Sequence, residues 1–240
     1  MITDEQLSLD PEIWRAFEPA RRASLAEIEQ AVQSLSAHAV VGGMLDAANV
    51  AMVVVNRELQ ILATNQLARE LVRTPDADAL VGRRFGEVFG CTNSDKCTDG
   101  CGGAEPCSEC GITTTVLESQ AHDRPCETQC VLGSRAGPGP EAIELQVRAA
   151  PVRVGEASFT AVALRDVSDS KRREVLERVF VHDLRNTLTA LIGWSEALAD
   201  DPAGEVATAP HKIAALANRL AREIEDYRLL AAAEADQLEP

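Results

Sequence analysis

The chain is 240 residues long, 45% hydrophobic and only 3% aromatic, and it carries a formal charge of −15 at pH 7. That length supports one or two domains with real cores, while the charge argues against nucleic acid and anionic membrane as partners, since both want clustered Lys and Arg. No apolar run approaches the ~20 residues needed to span a bilayer, and Met1-Ile2-Thr3-Asp4-Glu5 lacks the basic and apolar regions of a signal peptide, so a cytoplasmic protein is expected.

Residues 1–44 read as an N-terminal helical segment. Residues 1–20 are polar and interrupted by Pro11 and Pro19, a loose lead-in with one turn around Trp14. Leu25, Ile28, Val32 and Leu35 then repeat at 3-4-3, an amphipathic helix that packs on its own domain or on a second copy. The run from Ala51 to Asn56 is a buried strand, Arg57-Glu58 a turn, and Leu59 to Thr64 a second strand. Asn65 opens a short helix that ends near Pro75, and residues 81–90 form a loop and a turn of helix. Three β-rich runs follow at 124–131, 142–153 and 157–166, separated by Gly137-Pro138-Gly139-Pro140 and by Gly155-Glu156.

Two strands, short helices, three strands and an outgoing helix, in that order, resemble a PAS sensor domain over about residues 45–168. The residues that carry the resemblance are the Asn65 helix start, the turn Val81-Gly82-Arg83-Arg84-Phe85, and Arg165-Asp166-Val167-Ser168 leading into the next helix. It implies an α+β fold with a five-stranded antiparallel sheet and flanking helices, in which Asp166 ties the exit of the sheet to the outgoing helix.

All seven cysteines lie between residues 91 and 130, which in a cytoplasmic chain points to metal ligands or reactive thiols. Cys107 and Cys110 have the two-residue spacing at which both thiolates grip one metal, Gly111 leaves room for backbone amides to turn toward sulfur, and Cys101 is followed by Gly102-Gly103. Cys126 and Cys130, four apart on a strand, point to one face. The pattern resembles a cysteine-rich subset of PAS sensor kinases, matched at Cys91, Cys101, Cys107, Cys110 and Cys126, with Cys97 and Cys130 extra. Cys91, Cys101, Cys107 and Cys110 are the expected ligands, with Cys126 as an alternative. An iron–sulfur cluster is the expected cofactor, with zinc or reversible disulfide formation as alternatives. A flavin or haem fits the few aromatics poorly. His122, beside Asp123 in a loop, is read as solvated, and nothing is assigned to His38 or His211.

From residue 169 the pattern is two helices. Leu176, Phe180, Leu184, Leu188, Leu191, Ile192, Ser195 and Leu198 make one mainly apolar stripe, with His182 on the opposite, wet side and Asn186 one turn beyond. A break at Asp200-Asp201-Pro202-Ala203-Gly204 and a start at Thr208 with Pro210 precede Ile213, Leu216, Leu220, Ile224, Tyr227 and Ala231, a narrow seam suited to a dimeric four-helix bundle. Residues 169–240 resemble the dimerisation and phosphoacceptor hairpin of bacterial sensor histidine kinases, on His182-Asp183-Leu184-Arg185-Asn186; the proline usual after that motif is replaced by Thr187-Leu188. The resemblance implies phosphorylation of His182, an orienting Asp183, and an Asn186 that positions water for dephosphorylation. It also implies a homodimer, a response regulator receiver domain as phosphate acceptor, and an ATP-binding kinase domain acting in cis or in trans. Nothing after Tyr227-Arg228-Leu229-Leu230 resembles that last domain, so this chain is not expected to phosphorylate itself. The competing expectation is a non-catalytic, metal-binding dimeric regulatory scaffold.

Overall fold

The computed structural model describes residues 10–18, 20–74, 76–134, 141–200 and 209–236. The lead-in at residues 1–9, the helix end at Pro75, the Gly-Pro separator at 137–140 and the break and helix start at 201–208 lie outside them. The chain divides into two compact units, Met1–Ser168 and Asp169–Pro240.

In the first unit three helices, α1 (Pro11–Ala16), α2 (Leu25–Ser36) and α3 (Ala39–Ala47), precede the sheet. Ser24 and Glu27 form a reciprocal capping box that fixes the start of α2. Strands β1 (Ala51–Val55), β2 (Ile61–Thr64), β3 (Cys126–Ser134), β4 (Glu141–Val154) and β5 (Ala157–Asp166) pair throughout as antiparallel neighbours in the order 2-1-5-4-3. Between β2 and β3 run α4 (Gln66–Leu71), α5 (Phe85–Val88), two 3-10 turns at Ser94–Lys96 and Glu105–Glu109, and α6 (Gly111–His122). This α+β architecture is PAS-like.

Strand alternation sends side chains to two cores. Val53, Val55, Ile61, Leu145, Val147, Val162 and Leu164 meet Ala68, Phe85, Phe89, Ile112 and Val116 from the helices of the long crossover. On the opposite face Val54, Leu62 and Phe159 meet Ile28 and Leu35 of α2 and Leu45 of α3. Both faces of the sheet are therefore covered within one unit, and the N-terminal helices are part of its packing.

Asn65 joins these layers. Its Oδ1 accepts the N–H groups of Ala68 and Met52, and its Nδ2 donates to the carbonyls of Leu45 and Val50, all at 2.8–3.1 Å. Asn65→Ala would strip the α4 cap and leave buried backbone groups unpaired; a loss of about 3 kcal/mol is expected, read as the shift in urea midpoint at constant slope.

At the end of β5, Asp166 Oδ1 accepts the Ser168 N–H at 2.9 Å, Ser168 Oγ accepts the Glu144 N–H at 2.9 Å, and Val167 N–H reaches the Glu144 carbonyl at 2.8 Å. Sheet exit and helix start are thus one hydrogen-bonded corner. The second unit is α7 (Ser168–Asp200, from Asp169) and α8 (Ala209–Asp236). Phe180 stacks on Tyr227 at 4.1 Å, Thr187 bonds Glu223, and Lys212 lies over the Trp194 ring at 3.7 Å. Partners descend along α8 as they ascend along α7, so the two helices pair antiparallel. Among the described residues no helix is long and apolar enough to cross a membrane.

Candidate functional site

The crossover between α5 and α6 is short of regular structure, and its shape comes from glycine and sulfur. Cys91, Cys101, Cys107 and Cys110 line one cavity of about 230 Å³, together with Phe85, Gly86, Ile112, Thr113 and Leu132. Cys91 is held at the mouth of the insert by its N–H to the Gly86 carbonyl, and Thr92 N–H bonds Gly133 of β3. Cys107 and Cys110 bracket the end of the second 3-10 turn, with Cys110 at the N-cap of α6.

Gly86 is the position that lets the sulfurs approach. A Cβ there would stand 2.8 Å from Cys101 Sγ and 3.2 Å from Cys91 Cβ, closer than side chains pack. The Gly86 N–H donates to Cys101 Sγ at 3.2 Å, and Asn93 N–H to Cys91 Sγ at 3.5 Å. N–H groups aimed at cysteine sulfur stabilise thiolate over thiol and tune iron–sulfur centres. The N-terminus of α6, a twelve-residue helix, also faces this cavity through Ile112 and Thr113, and its dipole favours negative charge there.

Burial opposes ionisation in the protein without metal. Desolvation pushes the Cys101 thiol up to about 12, with the neighbouring Cys110 and Cys107 acting in the same direction, and it raises Cys107 as well. A thiol whose folded pKa lies above its unfolded value contributes stability below pH ~8.5 that is lost as pH rises toward 12. Metal-free, reduced protein is therefore expected to show a falling urea midpoint between pH 8.5 and 11, and Cys101→Ser is expected to flatten that fall.

Of the remaining cysteines, Cys130 lies beside Cys110, while Cys97 and Cys126 lie off the cavity. Cys126, at the start of β3, directs Sγ to the Arg124 carbonyl at 3.8 Å and does not line the cavity. Cys130 packs against the first turn of α6: a Cβ on Gly111 would lie 2.4 Å from its Cβ, and burial, together with the neighbouring Cys110, pushes its thiol up to about 12. Cys97 lies beside Asp99 and Gly103. His122 Nε2 lies 3.3 Å from Glu118 Oε2.

Tetrahedral zinc needs four sulfurs about 2.3 Å from one point. Among the described residues no group of three or more His, Cys, Asp or Glu is placed to hold a metal ion. Four thiols around one cavity, with backbone N–H groups on two of the sulfurs, are the donor type that zinc and iron–sulfur clusters both take.

In the second unit His182 is 71% exposed at its side chain. Its Nδ1 lies 3.2 Å from Asp183 Oδ1, and the Asn186 amide nitrogen is 3.3 Å from Nδ1 and 3.5 Å from Nε2. Thr187, the residue in the proline position, is buried and bonds Glu223, whose other oxygen is held by Arg219 at 2.6 Å. Leu188 and Ile192 on α7 and Ile224 and Leu229 on α8 are 42–63% exposed in the single chain.

Among solved structures the chain is similar to an RNA-binding light-oxygen-voltage receptor, at 15% identity over 62% of this chain and 38% of that one, with a TM-score of 0.41. It is also similar to the PAS domain of nitrogen regulation protein NR(II) from Vibrio parahaemolyticus (14% identity, 52% of this chain, 94% of that one, TM-score 0.36). A PAS domain from a two-component sensor histidine kinase is a third (11%, 59%, 98%, 0.35). The chain spans 38% of the length of the first of these. No protein-family model matches the chain, and no curated protein matches it. The likeness is one of fold. The PAS-like assignment rests on the strand order.

Sequence reasoning passed over Gly86, read Arg84 only as part of a turn, and gave Gly111 a role toward sulfur but not its close packing on Cys130. The Phe85-Gly86-Glu87 glycine inside a helical turn, where glycine costs stability, was the available signal for the first.

Proposed function

We propose that the chain is a signalling protein whose PAS-like unit senses redox state through an iron–sulfur cluster on Cys91, Cys101, Cys107 and Cys110, and whose helical hairpin carries phosphate on His182. The observation that supports this most is the gathering of four cysteines, scattered over residues 91–110, onto one cavity under amide donors. A bound cluster supplies a one-electron couple whose change of charge is felt by the residues around it. In this reading the cavity wall excludes water, and the α6 N-terminus and the Gly86 and Asn93 amides set the potential.

At His182 the adjacent Asp183 carboxylate accepts the Nδ1–H, a tautomer assigned from that contact, leaving the Nε2 lone pair as nucleophile. Asn186, one turn on, orients water toward phosphorylated His182. The exposed Leu188, Ile192, Ile224 and Leu229 are the seam that a second copy covers in a four-helix bundle. Phosphate comes from an ATP-binding kinase domain in cis or in trans and passes to a response regulator receiver domain.

The test supplies a sensor-kinase ATP-binding domain and radiolabelled ATP under anaerobic conditions, with the site reduced and then oxidised. Labelling of His182 that changes with redox state supports the proposal. Labelling indifferent to it leaves the phosphoacceptor without the sensor, and no labelling of an iron-loaded protein leaves the scaffold reading in its place.

A further inference from the structure

The cysteine cavity is fastened to a stretch of chain that its own chemistry does not require. Arg84 is fully buried, and its nitrogens donate to carbonyls from three separate segments. Nε reaches Glu58 in the β1–β2 turn, Nη1 reaches Cys101 in the cysteine loop, and Nη2 reaches Arg21 ahead of α2, each at 2.8 Å. The Phe17 ring lies 5.4 Å from this guanidinium and covers Gly102, where a Cβ would stand 3.0 Å from the ring.

A second tie runs beside the first. Arg22 pairs with Glu87 and donates to the Asp99 carbonyl at 3.2 Å, while Glu87 accepts the Arg84 N–H at 3.1 Å. A Cβ on Gly100 would stand 2.7 Å from Glu87 Oε1 and 2.9 Å from Arg22. Phe17, Arg21 and Arg22 therefore lie as a strap on loop 99–102, the loop that carries Cys101.

We propose that Arg84 is the positioning residue of the cysteine site: it holds the Cys101 backbone at the cavity wall and latches the strap of Phe17, Arg21 and Arg22 over the same loop, so that occupancy of the thiol site and closure of the strap rise and fall together. This rests on reading the cavity as a metal centre. When the Cys101 sulfur is bound, loop 99–102 is fixed and its carbonyl stays on Nη1. When the sulfur is free the loop opens locally, and the strap loses two of its anchors. A planar guanidinium serves three carbonyls at fixed angles, which a lysine ammonium does not reproduce.

The peptide bond after Arg21 reports on the strap, because trypsin cuts it only when the segment lifts. The full chain is compared after anaerobic reconstitution with ferrous iron and sulfide and after chelator stripping, with cutting at Arg172–Arg173 as control. Stripping is expected to speed cleavage at Arg21 about tenfold, and Arg84→Lys, which also frees the Arg21 carbonyl, to speed it in both forms beyond the stripped wild type. Phe17→Ala, which leaves the guanidinium hydrogen bonds in place, is expected to bring both forms to the stripped rate. In stripped protein, both variants are expected to raise iodoacetamide labelling of Cys101 about tenfold over that of Cys126, a ratio that general destabilisation leaves unchanged. Equal Cys101-to-Cys126 ratios in variant and wild type would overturn the proposal, as would cleavage at Arg21 insensitive to stripping in a protein that had taken up iron. If the chain takes up no iron, the metal reading fails, and the labelling ratio still decides the latch.

Discussion

Cys101→Ser is expected to lower bound iron and acid-labile sulfide by at least about tenfold after anaerobic reconstitution. Burial pushes the Cys101 thiol up, and its sulfur receives the Gly86 amide directly. Serine keeps the volume but offers a hydroxyl that stays protonated and a harder oxygen, poorly matched to iron in a sulfur site. The same substitution at Cys97 or Cys126 is expected to leave loading within about twofold, since neither lines the cavity. Iron and sulfide content, together with visible absorption per chain, make the comparison. Loss of loading at Cys126 with retention at Cys101 would reverse the ligand assignment.

His182→Ala is expected to abolish phosphate uptake from a supplied kinase domain, a fall of more than about a hundredfold, because the nucleophile itself is gone. Asp183→Asn removes the carboxylate 3.2 Å from Nδ1 and with it the charge that fixes the tautomer; a ten- to hundredfold slowing, about that of losing a general base, is expected. Asn186→Ala should leave uptake within a few-fold and slow the loss of phosphate, which separates positioning of water from nucleophilic attack. Acid-labile, alkali-stable label followed over time distinguishes these three outcomes. The hairpin, anchored by Phe180 on Tyr227 and Thr187 on Glu223, retains its packing in all three variants.

The sheet was readable because its strands are apolar runs with strong punctuation. Val53, Val54 and Val55 are β-branched and buried on both faces, and Asn65 announces the helix after β2 by capping it. Helix α6 was not readable. Eight consecutive residues from Ile112 to Ser119 are buried, so no polar face marks a period, and Thr113-Thr114-Thr115 is a β-branched run that favours strand. Its threonines stay helical because Thr115 Oγ1 bonds back to the Gly111 carbonyl at 2.6 Å. Helix α3 was hidden by Gly42 and Gly43, which lower helix propensity in its middle.

At the site, spacing pointed to Cys107 and Cys110 but was silent on which distant sulfurs join them. Period-two alternation put Cys126 and Cys130 on one face of β3 without saying which end of the strand meets the cavity. The answer depends on where α6 crosses the sheet, and Gly111 against Cys130 is that crossing. Arg84 looked like part of a turn; its three carbonyls come from residues 21, 58 and 101, and no local pattern contains them.

The most direct test of the account is elemental and spectroscopic analysis of the full chain isolated without oxygen. The account predicts iron and acid-labile sulfide in equal amounts, a broad charge-transfer absorption that bleaches on reduction, and loss of both in Cys101→Ser. A colourless protein holding zinc and no iron, or holding neither and taking up none on reconstitution, would contradict it.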